Sequence, residues 1–183
     1  MTKPIFTIGH STRTISEFVA LLQEAGADLV VDVRSIPRSR TNPQFNRDSL
    51  PEALAAWQIG YQHIAELGGR RGKAPGLPQS PNGYWRVRGF RNYADYALTP
   101  AFADGLAQLL ALAKQRNCAI MCSEAVWWRC HRRIITDYLL VADVPVLHIL
   151  ALGHIEPASL TPGAVTSEDG VVLYPGEAAD QAQ

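Results

Sequence analysis

Two short polar segments carry the side chains that nucleophilic catalysis requires. Cys122-Ser123-Glu124 is followed, after five intervening residues, by Cys130-His131-Arg132. A thiolate is the reactive form of cysteine, and a helix start or a neighbouring cation lowers the pKa of a thiol. The pattern therefore predicts Cys130 as a nucleophile, Glu124 as a general acid or base and His131 as a proton carrier.

Other interpretations of these segments stay open. Cys130 could be a small packing residue, and Glu124 could form an ion pair with a neighbouring arginine. Cys122 and Arg129 could flank an anion-cradling loop, although six residues separate them and none is glycine. Zinc could bind Cys122, Cys130 and His131, but adjacent Cys and His ligands would strain a tetrahedral site. We therefore expect neither a metal nor a cofactor.

Polar residues also follow the earlier predicted strands. In an open parallel sheet the ligand binds beyond the carboxyl ends of the strands, so residues at those positions are candidates for a site. Together with the two segments above, they predict one pocket at one edge of the sheet. His10 is predicted as a further proton carrier. The predicted ligand-binding residues at this edge are Ser11, Asp32, Arg34, Ser35, Arg70 and Arg132.

The formal net charge is zero, but basic residues concentrate in the middle of the chain. Between positions 34 and 91 lie ten basic residues against three acids, and 14 of the 17 basic residues in the chain are arginines. Arginine pairs bidentately with phosphates and carboxylates, so we expect an anionic ligand. The run from Tyr84 to Arg91 alternates arginines with aromatic rings, which predicts Arg86 and Arg91 as ligand contacts. A surface loop anchored by its aromatic rings is the alternative.

The composition fits a globular protein with reduced thiols. Of 183 residues, 47% are apolar and 19% are charged, which suffices for a buried core without disulfides. Three cysteines cannot all pair, and the first ten residues hold no apolar run long enough for a signal peptide or a membrane span. We expect a cytoplasmic protein with no membrane partner.

Strand and helix patterns alternate along the chain. Apolar, β-favouring runs predict strands at 5–8, 29–33, 60–64, 118–122 and 144–150. Capping residues and helical apolar spacing predict helices between them, beginning near Thr14, Ser49 and Thr99 and before Ile134. The alternation predicts an α/β three-layer sandwich with a mainly parallel sheet of about five strands.

The predicted elements fall into one α/β domain, residues 1–151. Residues 66–92 form a long Arg/Gly/Pro-rich loop without periodicity. Residues 152–183 have no strong pattern and no basic residue after position 156, which predicts a weakly structured acidic C-terminal appendix. The sequence does not specify an oligomeric state.

Several motifs follow one another along the chain. They are Thr7-Ile8-Gly9-His10-Ser11, Asp32-Val33-Arg34-Ser35 with Pro37 and Ser39, Pro43-Gln44-Phe45-Asn46, Leu67-Gly68-Gly69, Gly89-Phe90-Arg91 with Tyr93 and Tyr96, and the two cysteine segments. In these motifs the chain resembles the bacterial domain-of-unknown-function family 488, over about residues 4–151. The resemblance implies an α/β fold and the same site residues, but no reaction. Ser123 stands where the usual family pattern has alanine.

These observations support three functions. The leading one is binding of an anionic small molecule, nucleotide-like or derived from nucleic acid, with hydrolysis or group transfer by the Glu, Cys and His side chains. The second is a non-catalytic nucleic-acid-binding module, in which the exposed arginines contact phosphates and Trp85 stacks on a base. The third is a thiol or redox protein that uses Cys122 and Cys130.

Overall fold

A six-stranded sheet forms the centre of the protein in a computed structural model, which describes residues 2–176. The strand order is β3-β2-β4-β1-β5-β6, and every pair is parallel except β5 and β6. The predicted mainly parallel sheet is confirmed, with one strand more than expected. The strands are β1 (Ile5–Gly9), β2 (Leu29–Asp32), β3 (Gly60–His63), β4 (Cys118–Cys122), β5 (Val146–Ala151) and β6 (His154–Pro157).

Within residues 2–176, five α-helices cover the two faces of the sheet, and local signals limit some of them. The Thr14 hydroxyl accepts a hydrogen bond from Glu17 N at 3.1 Å and caps the first helix, which ends at Gly26 in the left-handed conformation. Ser49 makes no side-chain cap bond, so the capping box predicted there does not form. The helices are α1 (Ile15–Ala25), α2 (Leu50–Ala55), α3 (Arg88–Tyr96), α4 (Pro100–Gln115) and α5 (Arg132–Val141).

Buried side chains divide between the two faces of the sheet. Val30 of β2 packs in a cluster with residues of α1 and α2, whereas its neighbour Val31 packs in a cluster with residues of α3, α4 and α5. Both valines are fully buried, as expected for a parallel strand covered on both faces. The predicted three-layer sandwich is confirmed.

Helix α3 begins inside the segment that the sequence predicted to be a loop and continues beyond its end. Its first turn has no side-chain cap at Val87 and includes Gly89, so the local start signals of a helix are absent. Tertiary contacts hold it in place instead, because Tyr93 and Ala94 are fully buried. The part of the loop without helix or strand is residues 68–87.

The segment after residue 151 is tied to the domain over its described part. Besides β6, it contains the short hairpin of β7 (Val165–Thr166) and β8 (Val172–Leu173). Tyr174 is fully buried, and its hydroxyl donates to Asp137 Oδ2 at 2.7 Å. Its backbone N donates to Asn82 Oδ1 at 2.9 Å. The sequence predicted weak structure here because these bonds join residues that are distant in the chain. Residues 177–183 of the predicted appendix lie outside the described part.

No single helix within residues 2–176 is both long and apolar enough to cross a membrane. Helices α3 and α4 reach that length and composition only together, across a bend of 80°.

Replacing Tyr174 tests whether the C-terminal segment belongs to the core. We expect Tyr174→Ala to lower the free energy of unfolding by about 3 to 5 kcal/mol, because it empties a fully buried aromatic site. The matched control is Leu160→Ala, in the same segment but 44% exposed, which should change it by less than about 0.5 kcal/mol. Urea unfolding followed by circular dichroism measures both. Equal, small effects of the two substitutions would show that the segment is dispensable for stability.

Candidate functional site

The carboxyl ends of three neighbouring strands bring the predicted residues together. In the order β2-β4-β1, the last residues of β4 and β1, Cys122 and Gly9, are paired in register. The next residues continue side by side, with His10 N donating to Cys122 O at 2.9 Å. A Cβ atom on Gly9 would overlap with the backbone carbonyl of Glu124. Glycine at this position therefore lets the two strand ends approach closely.

A pocket of about 350 Å³ opens at this edge. This volume suits a small ligand. A second pocket of about 940 Å³ adjoins it, shares Arg38, Arg70 and Ser123 with it, and is lined by His10 and Ser11. The predicted residues in the first pocket are Arg34, Ser35, Arg70, Glu124, Cys130 and His131.

Cys130 lies at the floor of the first pocket, two residues before α5 begins. Its sulfur accepts a hydrogen bond from the backbone N of Arg132, the first residue of α5, at 3.5 Å and another from Arg132 Nε at 3.3 Å. Burial opposes the ionised form, but the hydrogen bond from the Cys122 thiol and the positive charge of Arg132 outweigh it and lower the pKa of Cys130 to about 6. The helix start predicted near this cysteine is present, and the thiol is poised to ionise.

His131 turns Nδ1 toward both neighbouring sulfurs. Its Nε2 lies 2.7 Å from the carbonyl oxygen of Val33, which can only accept, so Nε2 carries a proton. In the neutral ring Nδ1 is then an acceptor, and it lies 3.5 Å from the sulfur of Cys130 and 3.9 Å from that of Cys122. The Tyr93 ring packs edge-on against the imidazole at 5.0 Å between centroids. His131 is thus oriented to exchange a proton with either thiol.

The same three side chains offer donor atoms that could hold a thiophilic metal ion. The sulfurs of Cys122 and Cys130 and a ring nitrogen of His131 lie within 4.8 Å of one another, so the adjacency of Cys130 and His131 does not prevent their convergence. The Arg132 guanidinium, however, donates to the Cys130 sulfur and places a positive charge beside the space between the donors. That charge favours a thiolate and opposes a cation.

Arg132 is buried beneath the pocket rather than lining it. Only 1% of Arg132 is exposed, and it lines neither of the two pockets. Its NH2 donates to the Glu124 carbonyl oxygen at 2.5 Å, and its NH1 donates to Thr7 Oγ1 at 3.4 Å. The Thr7 hydroxyl in turn is hydrogen-bonded to Nδ1 of buried His148 at 2.7 Å. Arg132 therefore supports Cys130, and a direct ligand contact does not fit its position.

Asp32 and Arg34 form a buried ion pair in the pocket wall. Arg34 Nε and NH2 donate to the two oxygens of Asp32 at 2.9 and 2.7 Å, and NH2 also donates to Phe45 O at 2.7 Å. The Tyr61 hydroxyl donates to the same carboxylate at 2.5 Å, and burial followed by this bond raises the pKa of Tyr61. Asp32 is fully buried and lines neither of the two pockets. Arg34 keeps few free donors.

His10 is neutral and accepts a hydrogen bond from Arg34. Its Nδ1 donates to Ser11 O at 2.9 Å, and its Nε2 accepts from Arg34 NH1 at 3.3 Å. Its ring stacks on Phe45 with centroids 4.3 Å apart. Burial lowers the pKa of His10 to about 4. With both ring nitrogens engaged in the interior, His10 is placed to orient Arg34, whereas the sequence predicted a proton carrier.

Two arginines in the pocket have unpaired guanidinium groups within the described residues 2–176. They are Arg70 and Arg129, both exposed side chains that line the 350 Å³ pocket. Arg38 lines it as well, with a 3.7 Å ion pair to Asp48 at the surface. Ser35 positions this side of the pocket, because its hydroxyl accepts from the backbone N of Arg70 at 2.8 Å. These cations suit an anionic ligand.

Arg86 and Arg91 lie away from the pocket. Val87 and Phe90, three residues apart, face it, so the arginines of this turn point elsewhere. Arg91 donates from Nε and NH2 to Trp85 O at 3.0 and 2.8 Å, and Arg86 is exposed. Trp85 itself packs in the core, 6% exposed and stacked on Phe90, so it is not free to stack on a base.

Sequence reasoning missed residues whose roles depend on packing. For Arg129 the sequence indicates only an ion pair or a loop closure, and for Thr7 it indicates only membership of a motif. Gly69 is a further case, because a Cβ there would overlap with Nδ1 of His131. The Leu67-Gly68-Gly69 motif was the available signal, since adjacent glycines indicate close approach of the backbone to another group.

The fold and the site together define a class of protein. It is a three-layer α/β protein with a buried thiol, held by an arginine, at the floor of a basic pocket. A family model described as "Domain of unknown function DUF488" matches residues 14–139, which is most of the chain, so the protein belongs to that family. The match includes the two cysteine segments and ends within α5. Comparison with curated proteins and with solved structures finds no significant match.

Alkylation rates test the state of Cys130. A lowered pKa means that the thiolate is present above about pH 6, so the iodoacetamide rate at Cys130 should reach half its plateau near that pH. Cys118 is the internal control, because it is fully buried and burial raises its pKa to about 11. Mass spectrometry of each cysteine against pH measures both rates. A Cys130 rate that rises only near the ordinary thiol pKa of about 8.5, or no labelling of Cys130 in the folded protein, would contradict the assignment.

Substituting Gly69 tests the close packing against His131. We expect Gly69→Ala to destabilise the protein by about 1 to 3 kcal/mol, because the ring must leave its position between Val33 and the sulfurs. Gly72→Ala is the matched control in the same loop, where a Cβ meets nothing within 4 Å. Urea unfolding compares the two. Equal stability of both variants would mean that the His131 ring is free to move aside.

Proposed function

We propose that this protein binds an anionic, nucleotide-like substrate in the basic pocket and catalyses group transfer or hydrolysis through the Cys130 thiolate. The observation that carries the proposal is the pair of hydrogen bonds from Arg132 to the Cys130 sulfur, at the floor of a pocket with two unpaired arginines. We propose a cytoplasmic location with it, since three unpaired thiols suit a reducing compartment.

The substrate would be held by Arg70 and Arg129. Both reach the pocket from exposed positions and carry guanidinium groups that pair with phosphate or carboxylate oxygens. Arg34, fixed by Asp32 and His10, supplies a static positive charge in the wall. An anion that enters from solvent would therefore contact the exposed Arg70 and Arg129 first, with the fixed charge of Arg34 behind them.

The chemical step would use three side chains of the same pocket. The Cys130 thiolate attacks the electrophilic centre, so that a bond to sulfur forms while the bond to the leaving group breaks. The leaving group takes its proton from a water molecule beside Glu124, which is exposed in the pocket and can hold that water through its carboxylate. An acceptor or water, deprotonated by Nδ1 of His131, then attacks the covalent intermediate and releases the thiolate.

The second candidate, a nucleic-acid-binding module, differs in where its cations lie. It relies on the exposed arginines of residues 84–91, such as Arg86, as well as on the pocket. The buried position of Trp85 removes its base-stacking residue. The affinity of such a module for a nucleic-acid strand falls steeply as the salt concentration rises, because each neutralised phosphate releases counterions.

Nucleotide binding and protection of Cys130 test the proposal together. We expect adenosine monophosphate to bind and to slow iodoacetamide labelling of Cys130. Arg70→Gln and Arg129→Gln should each weaken binding about tenfold, the loss of one charge-assisted contact. Arg86→Gln is the matched control, because it removes an exposed arginine outside the pocket. Isothermal titration calorimetry measures the affinities.

Two results would overturn the proposal. In the first, no compound in a panel of nucleoside mono-, di- and triphosphates and simple organic phosphates slows the labelling of Cys130. In the second, a single-stranded oligonucleotide binds tightly, and Arg86→Gln and Arg70→Gln weaken its binding equally. That result would establish the nucleic-acid module instead.

A further inference from the structure

Two of the three cysteines share the floor of the pocket. The sulfurs of Cys122 and Cys130 lie within 4.8 Å of each other, and both residues line the pocket although each is less than a tenth exposed. Cys118 stands at the opposite end of β4, about 13 Å away at the usual rise of a strand. Cys122 has no part in the group-transfer step proposed above, so that step does not explain why a second thiol lies beside the nucleophile.

The two sulfurs differ in their hydrogen bonds. Two N–H groups of Arg132 donate to the Cys130 sulfur and favour its thiolate form. Cys122 donates its hydrogen bond to Cys130, and this bond, followed by burial, raises the pKa of Cys122. Nδ1 of His131 lies within 4 Å of both sulfurs and can accept the Cys122 proton. A thiolate beside a protonated thiol, with a base between them, matches the requirements of two-step thiol oxidation.

We propose that Cys130 and Cys122 are a redox-active pair, in which a hydroperoxide oxidises Cys130 and Cys122 then closes an intramolecular disulfide with it. This inference does not rest on the proposed anion chemistry, because it requires only the two sulfurs, Arg132 and His131. Hydrogen peroxide is the simplest oxidant of this class that fits the pocket.

The reaction has two balanced steps. The Cys130 thiolate attacks one peroxide oxygen, so an S–O bond forms, the O–O bond breaks and hydroxide leaves to be protonated by solvent. Sulfur is thereby oxidised to sulfenic acid and the peroxide is reduced. Cys122 then gives its proton to His131 and attacks the sulfenic sulfur, so the S–S bond forms and the departing hydroxide takes that proton as water. In total, two thiols and one hydrogen peroxide give one disulfide and two waters.

Arg132 has a part in each step. Its guanidinium stabilises the attacking thiolate in the first step, and its bond to the same sulfur keeps Cys130 in place for the attack of Cys122 in the second. Closing the disulfide removes the negative charge that faces Arg132 and blocks the pocket floor. The oxidised protein would therefore lack the nucleophile of the reduced one until a thiol reductant restores it.

Peptide mapping after peroxide treatment tests the pair. Trypsin cleaves after Arg129 and separates Cys130 from Cys122, but leaves Cys118 on the Cys122 peptide. We therefore use Cys118→Ser as the parent, in which Cys122 is the sole cysteine of its peptide. One equivalent of hydrogen peroxide, followed by alkylation and digestion without reductant, should link the two peptides, and dithiothreitol should release them.

Two further variants assign the steps. In Cys118→Ser/Cys122→Ser, oxidation should stop at Cys130 sulfenic acid, and dimedone should label it at least tenfold more than in the parent. In Cys118→Ser/Cys130→Ser, Cys122 should react no faster than a free cysteine. Circular dichroism and unfolding confirm that each variant is folded.

Three outcomes would overturn the proposal. They are over-oxidation of Cys130 in the parent without a linked peptide, equal dimedone labelling with and without Cys122, and a stoichiometric zinc ion on the purified protein that peroxide releases. The last would assign the three side chains to a metal. Nucleotide affinity, measured on the reduced parent, reports on the proposed function independently, because that measurement uses no oxidant.

Discussion

The buried guanidinium of Arg132 is the constraint on which the site depends. Burying a charged group costs several kcal/mol unless hydrogen bonds and an opposite charge compensate it. Arg132 has hydrogen-bond partners in Thr7, the Glu124 carbonyl and the Cys130 sulfur, and none of these within the described structure is a carboxylate. The thiolate of Cys130 is therefore its counter-ion. Arg132 favours the ionised form of Cys130, and its hydrogen bonds hold the start of α5 against the ends of β1 and β4.

Arginines of the site divide into buried and exposed ones. Arg34 and Arg132 are fixed in the interior by paired donors, and they shape the pocket and set its potential. Arg70 and Arg129 are exposed and lack protein partners within residues 2–176, so their positive charge is available to a ligand. Burial and pairing, rather than residue type, decide which of these roles an arginine has.

The sheet and the edge that carries the site could be predicted from the sequence, since local signals encode them. Apolar runs marked β1, β2 and β4, and Thr14 marked the start of α1. Helix α3 and the β7–β8 hairpin escaped prediction because contacts of distant residues, such as Tyr174 with Asp137, hold them.

The sequence indicates which residues meet at this edge of the sheet better than it indicates which of them are buried and what they bond to. Cys130 at a helix start follows from neighbouring residues in the chain. The burial of Arg132 and His10, in contrast, depends on how three strand ends converge, which no local pattern records. Arg91 is a different case, because its partner, the Trp85 carbonyl, is close in the chain and the turn between them engages its donors.

On the proposed function, the closeness of the Cys130 thiolate to the exposed arginines would link anion binding to proton uptake. A bound anion and the Cys130 thiolate repel each other across the pocket, so an anion that settles there raises the pKa of Cys130. By thermodynamic reciprocity, protonation of the sulfur strengthens anion binding by the same factor. Affinity for an unreactive anion therefore increases as the pH falls through the pKa of Cys130. A true substrate must supply enough additional binding to leave the sulfur ionised beside it.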